Sequence, residues 1–158
     1  MEHLSLLHQI AAIYSFAVGA VVLRNRKGTV LHTWLGRSFV AAMILTDLSA
    51  FGLVLKYGWS WFHLLASWNF VYILLGLWCA LRRPSASWIV QHFYYFSYAY
   101  LGVIAAAVAR VPLIFVEDIA ASALIAMAVV FGVGAFLIER LGKQLRAQQA
   151  VLAQRSAV

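Results

Sequence analysis

Four histidines and one acid in this sequence have residue types and spacing that could do chemistry: His8, His32, His63 and His92, with Asp47. Each lies in or beside a long apolar run, where an ionisable side chain is costly and marks a partner or a task. Imidazole binds iron, zinc or a proton, and a carboxylate adds a hard ligand or a proton carrier. The stretch "SASWIVQHFYYFSYAYLG", residues 85–102, surrounds His92 with four tyrosines, rings that are apolar in the body and polar at the tip. His3 precedes the first apolar run and is read as interfacial.

The elements that must position these groups follow from composition. Hydrophobic residues make up 65% of 158, charged residues 11%, and the mean hydropathy is +0.88. A soluble domain would carry about a quarter charged residues. The expected fold is therefore an all-α integral membrane protein in one domain. Apolar runs at about 4–23, 35–55, 62–81, 88–109 and 119–138 each have the length of a span, roughly 20 residues. Short connections make consecutive helices antiparallel neighbours, with Pro84 and Pro112 outside the helices. The last run lacks histidine and is read as a peripheral fifth helix against a four-helix core, continued by a cytoplasmic helical tail over 139–158. Cys79 stands alone and excludes an internal disulfide. Met1-Glu2-His3 lacks the basic start of a removable signal peptide.

The net charge of +7 is a topology signal. Arg24, Arg26, Lys27, Arg37, Arg82, Arg83, Arg140, Lys143, Arg146 and Arg155 fall on one side, and only Lys56 and Arg110 on the other. Positive residues mark the cytoplasmic side, which puts the N-terminus out and the C-terminus in. No folded basic surface is left to bind nucleic acid. Phosphate loops, C-x-x-C, H-E-x-x-H and nucleophile elbows are all absent.

Helical rise sorts the histidines by depth. Measured from the basic edge, His8 stands about 24 Å up and His63 about 28 Å, while His32 and His92 stand about 4–8 Å up. Each pair joins alternate helices, which face one another across a four-helix bundle. Small residues stack near three of the rings: Ala11, Ala12, Ser15 and Gly19 below His8, Ala99, Gly102 and Ala106 on the face of His92, and Gly36 beside His32. Such stripes make room for a flat ring or for close helix packing. Paired imidazoles with room between them suit b-type haem, one or two per chain, with Arg37, Arg82, Arg83 and Lys56 available to propionates. Asp47 lies about 22 Å above His32 and about 60° off its face. It could support a ligating imidazole, carry protons, ligate a metal, or form a structural hydrogen bond with Asn69.

The resulting functional expectation is transmembrane electron transfer through bis-histidine haem, exchanging electrons with quinone. Two alternatives stay open. One is an outer iron or zinc site built from His8, His63 and Asp47, with Glu117 or Asp118, serving oxidation, ion movement or sensing. The other is a non-catalytic membrane subunit or scaffold. Membrane lipid surrounds the chain in each case; a homo-oligomer or a partner membrane subunit is compatible with all three.

Three stretches, "KGTVLHTWLGRSFVAAMILTDLSAF", "WFHLLASW" and "HFYYFSYAYLGVIAAAVAR", resemble an uncharacterised bacterial membrane-protein family catalogued as domain of unknown function 2306. A histidine placed like His8 in the first helix is also typical of that family. The resemblance covers roughly residues 4–110 and implies a small multi-pass protein of the bacterial inner membrane. The alternate-helix histidine pairs also resemble the architecture of two-haem b-type membrane cytochromes.

The topology has a direct test. With Cys79 replaced by Ala, a cysteine at Ser60 should react with an impermeant thiol reagent from outside, and one at Ser85 only from the cytoplasm. The reverse pattern would overturn the charge argument.

Overall fold

The computed structural model describes residues 2–110 and 119–155. These form five helices: α1 (Glu2–Arg24), α2 (Val30–Tyr57), α3 (Trp61–Arg82), α4 (Trp88–Val108) and α5 (Ile119–Arg155). The helix ends have local causes. Lys27 Nζ donates to the carbonyls of Val22 and Leu23 at 2.7 and 2.8 Å, closing α1. Thr29 accepts the His32 N–H at 3.1 Å and starts α2 earlier than the expected residue 35, drawing His32 into its first turn. Gly58, at φ 76, ends α2, a backbone conformation that a side chain would oppose. Ser60 follows in extended backbone as the N-cap of α3. The connection between α2 and α3 is therefore only Gly58, Trp59 and Ser60.

α1 and α3 each pack against both α2 and α4, so α1 faces α3 across one diagonal and α2 faces α4 across the other. α5 packs along α4 and runs antiparallel to it: Leu101 meets Gly134, and Tyr94 meets Gly142. α5 is continuous for 37 residues, so the tail expected after residue 138 extends the same helix. One end of the bundle gathers Arg24, Lys27, Arg82 and Arg83 and is called the basic end below. The other, the far end, carries Lys56 and Arg110.

Among the described residues, α1, α2, α3 and the Ala121–Arg155 part of α5 are long and apolar enough to cross a membrane. α4 has 21 residues, but Gln91, His92 and its tyrosines lower its hydropathy. It is also the helix packed between α1, α3 and α5, which shields those groups. Large apolar side chains such as Ile13, Leu64, Val71, Val129 and Phe136 point outward, as a lipid surround requires.

The middle of the bundle is filled by Phe39, Val40, Met43, Ile73, Ala99, Tyr100 and Val103. Phe39 of α2 meets the Phe96 and Tyr100 rings of α4 at centroid distances of 6.2 and 6.1 Å. The Tyr100 hydroxyl donates to Phe16 O of α1 at 2.9 Å. The small residues accommodate these side chains. A Cβ on Gly19 would strike the Tyr100 ring, one on Gly76 the Phe96 ring at 2.7 Å, and one on Gly102 the Asn69 amide. Room that the stripes make at Gly19 and Gly102 is thus taken by the chain's own Tyr100 and Asn69 side chains. Gly36 alone of the glycines expected at a site has open space where its Cβ would be.

Paired substitutions separate the two cases. Gly19→Ala should lower stability by about 1–3 kcal/mol through overpacking against Tyr100. Gly36→Ala should raise it by up to about 1 kcal/mol, the ordinary helical gain. Thermal unfolding in detergent reads both, and a tolerated Gly19→Ala would sink the packing argument.

Candidate functional site

A cavity of about 560 Å³ opens between α1, α2, α3 and α4 at the far end of the bundle. Its polar lining includes His8, Asp47, His63, Asn69, Tyr57 and Arg110, and its apolar walls include Ala12, Phe16, Leu53, Ala66 and Val103. His8 and His63, set at one depth by helical rise, therefore share one cavity, with Asp47 in the same wall.

Each of these histidines is held by its Nδ1 in a way that sets the other ring nitrogen. His8 Nδ1 lies 3.1 Å from Thr46 O and 3.0 Å from Ser49 Oγ, on α2. A carbonyl only accepts, and the Ser49 hydroxyl already donates to Thr46 O at 2.9 Å. Nδ1 therefore carries the hydrogen, and Nε2 of the neutral ring keeps its lone pair. His63 is the opposite case. The Ser60 backbone N–H donates to His63 Nδ1 at 2.9 Å, the reciprocal half of a capping box. A backbone N–H can only donate, so it meets the Nδ1 lone pair, and the contacts of that nitrogen with Ser60 Oγ at 3.0 Å and Ser60 O at 3.1 Å do not change its role. Nδ1 of His63 is thus an acceptor, and the neutral ring carries its hydrogen on Nε2. Trp59 stacks on this ring at 5.2 Å.

Two residues lining the same cavity carry buried oxygens without partners. Asp47 is 2% exposed and Asn69 5%, and neither Asp47 Oδ2 nor Asn69 Oδ1 has a hydrogen bond. The structural Asp47–Asn69 bond allowed by their depths is not formed among the described residues; the Asn69 amide lies against Gly102 instead. A buried polar oxygen left unpaired costs about 1–3 kcal/mol, and a native structure keeps one where something else is to meet it.

The basic end holds the second histidine pair. His92 Nδ1 lies 3.2 Å from Gly76 O, so it donates there and leaves Nε2 free. Phe96 meets the His92 ring edge-to-face at 4.7 Å. His32 Nδ1 is buried with no partner. The arginines expected beside a cofactor lie on indoles: Arg37 over Trp34 at 5.5 Å and Arg83 over Trp88 at 5.0 Å. Arg82 ends α3.

The tyrosines around His92 face several neighbours. Tyr94 and Tyr98 donate to the two oxygens of Glu139 on α5, at 3.1 and 3.3 Å, and Arg146 lies over the Tyr94 ring at 5.0 Å. Tyr95 and Tyr98 meet Tyr72 of α3 edge-on at 5.7 and 6.0 Å. They tie α4 to α3 and α5.

Among the described residues no three His, Cys, Asp or Glu side chains are grouped to hold a metal ion. Glu117 and Asp118, expected as further ligands, lie outside the described residues. Compared with known proteins, the chain matches no family model, no curated protein and no solved structure.

Sequence reasoning missed Ser60, Ser49 and the cavity-lining Gln9 and Tyr57. Ser60 had a readable signal, a serine three residues before His63 at a helix start. The partnership of His8 with Ser49 crosses helices and had none.

Asp47 has no bond to lose, so Asp47→Asn should leave the unfolding midpoint unchanged or raise it. A loss of about 2 kcal/mol or more would reveal a structural partner for its carboxyl.

Proposed function

We propose that this chain is a five-span protein of the bacterial inner membrane whose far-end cavity, on the outer side, binds a small molecule and exchanges a proton with it through Asp47. The observation that carries this reading is the unpartnered Asp47 oxygen, buried in the wall of a 560 Å³ cavity beside two histidines. That volume lies within the range of small-molecule sites, which combine apolar walls with a few convergent polar groups. An unpaired charge there would be costly, so the carboxyl holds a proton or meets a ligand that offsets it. Nε2 of His8, with its lone pair, is a second proton acceptor in the same cavity.

Dicyclohexylcarbodiimide, an apolar reagent for protonated carboxyls in membranes, supplies the test. It should modify Asp47, seen as a mass increase on the peptide that carries it, and leave that peptide unmodified in Asp47→Asn. An unmodified Asp47 in the native chain would overturn the reading.

A second reading, electron transfer through one b-type haem, is favoured by the histidines of the basic end. His92 could hold iron through Nε2, which is free because Nδ1 donates to the Gly76 carbonyl. His32 has an unpartnered nitrogen, and open space adjoins Gly36. Iron there would be held by His32 and His92, with Arg37, Arg82 and Arg83 near the propionates. The far-end pair is less suited to iron, because the Nε2 of His63 carries the hydrogen where a ligand needs a lone pair. Protein produced with haem supply should show a reduced b-type spectrum that His32→Ala and His92→Ala abolish and His63→Ala retains. A chain with no Soret band would remove this second reading.

A further inference from the structure

The far-end cavity is asymmetric in a way that selects its ligand. His8 of α1 offers a lone pair, because its Nδ1–H is spent on Thr46 O. His63 of α3 offers a hydrogen, because its Nδ1 accepts from Ser60. α1 and α3 face each other across a diagonal of the bundle, so the acceptor and the donor stand on opposite walls. Phe16, Leu53, Ala66 and Val103 line the space with apolar surface. A fitting ligand therefore donates at one end, accepts at the other, and is apolar between. An amide or a carboxylic acid carries both functions at one end and leaves one wall unmatched. A quinone has oxygens at both ends, but both only accept.

We infer that the cavity binds a hydroquinone, one hydroxyl donating to His8 Nε2 and the opposite hydroxyl accepting from His63 Nε2–H. This assignment rests on the reading of the cavity as a ligand site and names the chemical class of its ligand. The ring lies against the apolar walls, and the surrounding lipid supplies a ligand of this polarity. Asn69 Oδ1, buried without a partner, adds an oxygen that a hydroxyl can also meet, whereas a carbonyl oxygen cannot.

The polarity is tested on the unaltered chain with three probes of nearly equal shape: decylubiquinol, decylubiquinone and the dimethyl ether of the quinol. Binding is measured at equilibrium to protein in lipid nanodiscs, with empty nanodiscs correcting for partition. The quinol should bind at least about tenfold more tightly than either analogue, since each leaves the His8 acceptor unmatched. Ala12→Leu, which fills the cavity from α1, should weaken quinol binding by at least about tenfold. Quinone or ether binding as tightly as quinol would overturn the assignment, as would quinol binding that Ala12→Leu leaves unchanged. If carbodiimide modifies Asp47 while none of the three probes binds, the hydroquinone assignment fails and the site stands. If Asp47 is unmodified and nothing binds, both fail.

Discussion

Three rings on the α2–α4 diagonal hold the bundle together and divide its interior. Tyr100 seats its ring on Gly19, bonds the Phe16 carbonyl and meets Phe39, so a single side chain joins α1, α2 and α4. Phe96 fills the space at Gly76 and brings in α3. With Met43 and Ile73 fully buried beside them, these rings occupy the middle of the bundle. The two pairs of histidines lie on either side of this apolar plug, His8 and His63 toward one end, His32 and His92 toward the other. The cavity ends where the plug begins: Phe16 and Val103 belong to its lining, and Val103 to the core as well.

The polar groups of the interior divide along the same line. A buried donor or acceptor is out of reach of water, so it must be met within the protein. Most are. Ser15 bonds Ala12 O, Ser49 bonds Thr46 O, Ser67 bonds His63 O, and the α4 tyrosines find Glu139 and the Phe16 carbonyl. Among the described residues three buried side-chain atoms are not: Asp47 Oδ2, Asn69 Oδ1 and His32 Nδ1. They lie at the two places where helical rise gathers the histidines. This coincidence separates candidate sites from packing more sharply than residue type does.

Much of this was legible in the sequence. Apolar runs placed all five helices, because length and composition are sufficient evidence for them. Helical rise put His8, His63 and Asp47 at one depth, because 1.5 Å per residue hardly varies. The ring tautomers were beyond reach: that of His8 depends on Thr46 and Ser49, across a helix interface. The small stripes were ambiguous for a similar reason. Gly19 and Gly102 leave room for a flat ring, and only the fold reveals that Tyr100 and Asn69 take that room. Glu139 read as a charge in a solvated tail, and its pairing with Tyr94 and Tyr98 depends on how α5 lies against α4.

α5 carries one consequence of its length. At 37 residues it measures about 55 Å, longer than the roughly 30 Å of hydrocarbon that a spanning helix has to cross, so a membrane-spanning α5 would leave about 25 Å of unbroken helix outside it. Such a rod transmits tilt and rotation as a lever does. Its fulcrum is Glu139, clasped by two tyrosines of the helix that also bears His92. A shift of α5 near Glu139 would therefore be felt at Tyr94, two residues from His92.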